Sequence, residues 1–297
     1  MQTIRWALIG AMTALLATPL SAEEISLDGY QALQARQKST CGTTEKGRTR
    51  YFYWEGRGYS RVAGERDRLL FTVLGANIRQ CDVVDDPVRG KGFRSVSREI
   101  MVYMDPTTGE VIDTWNNPWT GKEVAVIHVA NDPVNMRGYV YEKNEDGSAA
   151  DPFTMRRYGD VVSNAAEIPL FYTNPLAGDY QPYVGGTYHA MEIFDSFYPT
   201  DEMLSTRRKA ISSSHLGWVR VSKWLPWMEM GDRTGVMIFN ATGYGTFDKD
   251  EVPAALWTIL RDRYPSYETP PPLDDKRPNE TSWTVFKKTI DARNNAE

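Results

Sequence analysis

The sequence carries none of the short motifs that mark common catalytic machinery. It has no GxSxG, HExxH, P-loop or Rossmann glycine pattern, which removes the usual sequence grounds for a serine hydrolase, a zinc hydrolase or a nucleotide-binding enzyme. Histidine is scarce, at three residues, and cysteine scarcer, at two. With no CxxC and no clustered histidines, neither a zinc site nor any other cofactor is expected. Acidic residues outnumber basic ones, 39 to 34, and no basic stripe appears, so nucleic acid is not an expected partner. Beyond the N-terminal segment no apolar run is long enough to span a bilayer.

Aromatic residues, by contrast, are plentiful: 9 Trp, 16 Tyr and 10 Phe. Strands and small-molecule pockets both favour them. The N-terminus reads as a secretory signal, with Arg5, then the apolar run WALIGAMTALLATPL, then Ser21 and Ala22 before Glu23. Cleavage after Ala22 leaves residues 23–297 as one mature domain, and losing Arg5 takes the formal charge from −5 to −6. Export is therefore the expected fate, to the periplasm in a Gram-negative host and to the medium otherwise. No membrane insertion is expected once the signal is gone. Cys41 and Cys81 fit that compartment as a disulfide, which would close a loop worth roughly 4 kcal/mol by chain entropy; two buried thiols are the alternative.

The stretch from Tyr103 to Asn135 packs three turn signals, DPTTGE, NNPWTG and NDPVN, between short β-like runs. Turns so close together leave no room for helices and predict an antiparallel meander. Further strands are predicted at Tyr51–Arg61, Leu69–Arg79, Ser95–Met104, Glu110–Trp115, Glu123–Ala130, Gly138–Glu142, Phe153–Tyr158, Glu167–Tyr172, Gly185–Tyr198, His215–Leu225 and Thr234–Thr242, with a bulge at Gly75. Helices are predicted at Asp28–Lys38, Pro253–Arg263 and Ser282–Arg293, with Asp28 as an N-cap. The expected fold is mainly β, a closed or nearly closed lipocalin-like antiparallel barrel with a few peripheral helices.

Two strands break the usual alternation. Ser95–Met104 places Arg98 with Val96, Ile100 and Val102, and Glu99 with Met101 and Tyr103. The segment from Thr187 to Phe197 places His189, Met191, Ile193 and Asp195 on one face, and Tyr188, Glu192 and Phe194 on the other. Outer helices would explain apolar groups on the outside wall; polar groups inside would suit a lumen that holds water or a ligand, or ion pairs that only fix register.

Candidate catalytic residues follow from this. His128 or His215 is a candidate general base, oriented by Glu99 or Asp195. Candidate ligand contacts are Trp115 and Asn117 in the NNPWTG turn, His189, Arg220 as an anion or carbonyl clamp, and Trp224 and Trp227 in the apolar segment WLPWMEM. Each has a plainer alternative in turn capping or core packing.

The blocks YMDPTTGEVIDTWNNPWTG, VIHVANDPVN, WVRVSKWLPWMEMGDRTG and RYPSYETPPPLD resemble those of domain-of-unknown-function family 1838, in order, from about Tyr51 to Leu273. The resemblance implies a single domain. The family is functionally uncharacterised, so it implies no substrate and no catalytic residue. Two functions remain: a binding protein for a small apolar or aromatic molecule, or a cofactor-independent hydrolase, isomerase or lyase with a histidine base.

Overall fold

A computed structural model describes residues 24–27, 29–150, 153–172 and 187–295. The signal segment, the Asp28 cap and Gly185 lie outside the described residues. The chain begins with α1 (Gly29–Cys41), then three long strands, β1 (Arg50–Arg61), β2 (Arg68–Asp86) and β3 (Gly90–Met104). Short strands follow: β4 (Thr114–Asn116), β5 (Glu123–Ala125), β6 (Val129–Asn131), β7 (Val140–Tyr141) and β8 (Arg156–Tyr158). The second half holds β9 (Val161–Tyr172), β10 (Tyr188–Pro199), the single-turn α2 (Thr200–Met203), β11 (Ser214–Ser222), β12 (Val236–Thr246), α3 (Ala254–Arg263) and α4 (Ser282–Asn294).

One antiparallel sheet organises the molecule, in the order β6-β3-β2-β1-β12-β11-β10-β9-β8, with β7 also on β3 and β4–β5 a separate hairpin. Its seam is the pairing of β1 with β12, which runs from Tyr51↔Thr246 to Arg61↔Val236 and joins two meanders distant in sequence. The expected closed barrel is not found: among the described residues no pairing joins the β6 end to the β8 end. The sheet nevertheless curls, because residues of β3, β6, β9 and β10 line one cavity.

Several expected elements differ from the observed ones; the expected strand Glu110–Trp115, for one, is reduced to β4, and β9 starts six residues before the expected Glu167. β2 and β3 are longer than predicted and meet at a tight turn where Gly90 takes φ +75°. The predicted strand Glu123–Ala130 is split into β5 and β6. Between them Val126 N–H bonds Asp113 O and the His128 ring takes the Tyr103 N–H, so β3 spends a ladder donor on a side chain. No bulge occurs at Gly75, which pairs in register with Trp54 and Met101; the shift lies at Gly58/Tyr59.

Period-two alternation gives β2 and β3 two buried faces. Leu74, Ala76, Ile78, Ile100 and Val102 pack outward under Leu256 and Leu260 of α3 and under Tyr267. Burying each of those two leucines contributes roughly 2 kcal/mol. On the inner side Phe71, Val73, Met101, Tyr103 and Phe239 meet the Trp224–Met230 segment and Phe286 and Ile290 of α4. A Thr281–Thr284 capping box starts α4, and Trp283 and Phe286 in its first turns then reach the cavity. At the far end Cys41, closing α1, is bonded to Cys81 in β2, with Cα atoms 6.1 Å apart. No helix among the described residues is long and apolar enough to cross a membrane.

Candidate ligand cavity

The curl encloses a cavity of about 550 Å3. Alternation decides which residues enter it. On β10 Tyr188, Glu192, Phe194, Ser196 and Tyr198 line the wall, and on β11 Ser214, Leu216, Trp218 and Arg220 do so. Phe52 and Trp54 of β1, Tyr103 of β3 and Phe239 of β12 add an aromatic side, which Trp227, Trp283 and Phe286 complete. Trp218 stacks on Phe239 at 6.0 Å between centroids. The polar side is built from Asn77 and Arg79 of β2, Glu99 of β3, and Glu192 and Arg220.

Arg220 is held on two sides. Its Nη1 donates to Glu192 Oε1 at 2.6 Å and its Nη2 to the Tyr188 hydroxyl at 3.0 Å. Burial alone would lower its affinity for a proton, but Tyr188 and Glu192 outweigh burial and raise it, so the guanidinium stays charged. Arg79 donates from Nε to Asn77 Oδ1 at 2.8 Å and from Nη1 to Thr40 O at 3.0 Å, over the ring of Phe52. Burial lowers its pKa to about 10. Glu99 accepts from Asn131 Nδ2 at 3.2 Å. Burial raises its pKa, and the charge of Glu192 raises it further against Arg79, Asn131 and Asn77.

His128 is buried, 8% exposed, and stacks on Tyr103. Its Nδ1 accepts the Tyr103 backbone N–H at 3.2 Å, which fixes the proton of the neutral ring on Nε2. Burial lowers its pKa to about 4, with Asp113 acting weakly against that. At neutral pH this imidazole can therefore give a hydrogen bond but has no free lone pair for a proton. It cannot serve as the expected general base in this state.

The other sequence-predicted residues are dispersed. His215 touches the edge of the cavity, but it is exposed and lies edge-on to Tyr244 at 5.2 Å. Asp195 is exposed, on the β10 face opposite Glu192. His189 shares that outer face, in a second, more open depression with Phe171, Met191 and Trp224. Trp224 itself is buried and donates to Arg233 O at 3.0 Å. Trp115 lies behind the cavity wall, packed against Phe71 and Trp227. Asn117 is a turn cap: its Oδ1 accepts from Trp119 N and Thr120 N, and its Nδ2 donates to Met228 O. Glu99, Arg220 and Trp227 do line the cavity, with His128. Glu192, Arg79, Asn77 and Tyr188 were missed. Their signal was present: Glu192 shares a strand face with Tyr188 and Phe194. Among the described residues no cluster of three or more His, Cys, Asp or Glu is placed to hold a metal.

Fold and cavity thus define an antiparallel β protein whose curled sheet surrounds a mixed aromatic and charged chamber. The chain belongs to the family described as "protein of unknown function (DUF1838)", whose model matches residues 47–290, a span that takes in every strand and α3. No curated protein matches the chain.

Proposed function

We propose that this chain is an exported protein that holds a small, largely apolar or aromatic molecule inside its barrel-like sheet. The observation that carries this reading is the cavity itself. Its volume, about 550 Å3, lies within the range of small-molecule pockets, and it sets an aromatic wall against a few fixed polar groups. A packed core would fill such a space, since voids forfeit dispersion contacts. Flat apolar molecules stack well on the Trp218–Phe239 wall. Export is supported by the N-terminal signal pattern and by the Cys41–Cys81 disulfide, a bond that persists in oxidising compartments.

Native mass spectrometry of the purified mature protein tests both parts. The expected spectrum shows a polypeptide beginning at Glu23, with a small mass excess that disappears on denaturation. A bare polypeptide in every native spectrum, with tryptophan emission unmoved by added apolar aromatics, would overturn the binding reading. A chain retained in the cytosol with its first 22 residues intact would overturn export.

A further inference from the structure

The cavity holds two carboxylates in unlike settings. Glu192 enters from β10 and is fixed by Arg220 at 2.6 Å. Glu99 enters from β3 and makes no ion pair among the described residues. In the sheet order β2, β1, β12 and β11 stand between their strands, so the two side chains reach one chamber from opposite arms of the curl. The amides of Asn131 and Asn77 orient Glu99. Beside it the wall presents Arg79, whose charge acts on the carboxyl. A carboxyl without an ion partner and two guanidinium groups therefore face an apolar wall.

We propose that the cavity is a catalytic site in which Glu99 moves a proton within a bound apolar carbonyl compound, while Glu192 stays locked to Arg220. This rests on the reading of the cavity as a ligand site. Glu99 takes a proton from the carbon next to the carbonyl group. The C–H bonding pair becomes the new C=C bond, and the carbonyl π pair moves to the oxygen as enolate charge. The positive guanidinium groups of Arg79 and Arg220 offset that charge in a site of low dielectric. Glu99 then returns the proton to the conjugated carbon, which shifts a double bond, or to the original carbon, which exchanges it. Atoms and electrons balance with no added reactant. The surroundings that raise the pKa of Glu99 also make its ionised form a stronger base than an ordinary carboxylate.

The test uses 2-tetralone, an apolar aromatic ketone, in heavy water. Deuterium entry next to the carbonyl is followed by mass spectrometry, and binding by quenching of tryptophan emission. Exchange at least tenfold faster than in buffer is expected for the wild type. Glu99→Gln should fall to the buffer rate with the quench midpoint shifted less than threefold, and Glu99→Asp should lie between. Quenching without accelerated exchange, or exchange unchanged in Glu99→Gln, overturns the proton transfer alone. Absence of any quench removes the binding reading on which it rests.

Discussion

Arg220 and Glu192 face each other directly across the β11–β10 ladder, with Nη1 and Oε1 2.6 Å apart. Among the described residues the pair is the one ion pair between two strands whose other cavity-lining residues are aromatic, aliphatic, serine or histidine. Removing one partner leaves the other charge uncompensated away from bulk water, which costs about 3 kcal/mol. Glu192→Gln should therefore lower stability by about that amount in urea unfolding. The double variant Glu192→Gln, Arg220→Met should recover part of the loss. Additive losses in the double variant would show that the two do not act as a unit.

This pair also marks where sequence reasoning ran out. Alternation in β10 and β3 put Glu192 with Phe194, and Glu99 with Met101, on shared faces, and both sets do line the cavity. What alternation cannot tell is which face turns inward. A step of one residue reverses every side chain, so Asp195 and His189 point away from the chamber that Glu192 enters. The partner of Glu192 lies 28 residues on, and only the register of two strands brings it there. Likewise the β1–β12 seam is a long-range pairing with no local turn to announce it. Asn117 looked like a ligand contact because an amide between two tryptophans fits one; burial, and the two N–H groups it caps, decide against that. The cysteine pairing was legible because only two cysteines exist.

His128 gives a pH prediction with a definite sign. Its pKa falls from the ordinary 6.5 to about 4 on folding, so between those values the unfolded chain binds more protons than the native one. Stability then rises with pH through this window and is lost as pH falls from 6.5 towards 4. The size is on the order of 3 kcal/mol, since the ring is buried. Protonation would also take the Nδ1 lone pair from the Tyr103 N–H. In His128→Phe the stability curve should lose slope between pH 6.5 and 4, whatever its plateau. An imidazole NMR signal of His128 that titrates near its ordinary value would refute the assignment.

The Cys41–Cys81 bond ties the end of α1 to β2 across a separation of 40 residues. Chain entropy assigns such a loop about 4 kcal/mol as an upper figure. Both cysteines are nearly fully buried, so replacement by two alanines leaves no polar atom stranded. The double variant should unfold at lower urea concentration, and adding reductant should shift the wild type but not the variant. Equal midpoints for wild type and variant under oxidising conditions would assign the bond no stabilising role.

Gly75 lets Trp54 reach the cavity. A Cβ placed on Gly75 would sit 2.4–2.6 Å from three atoms of the Trp54 indole, well inside contact distance. The ring is gripped on its strand by pairing with Gly243 and Gly75, so it has to tilt into the chamber it lines. Overpacking of this kind costs about 1–3 kcal/mol. Gly75→Ala should accordingly lower stability, shift tryptophan emission and weaken the quench by apolar aromatics. Gly217→Ala is the control, because its Cβ would meet only Asp195 atoms at 3.9 Å. That change reduces the freedom of the unfolded chain without a clash, and should leave stability equal or up to about 1 kcal/mol higher. If both glycine variants behave alike, the Trp54 ring is free to move, and the cavity wall is softer than its packing implies.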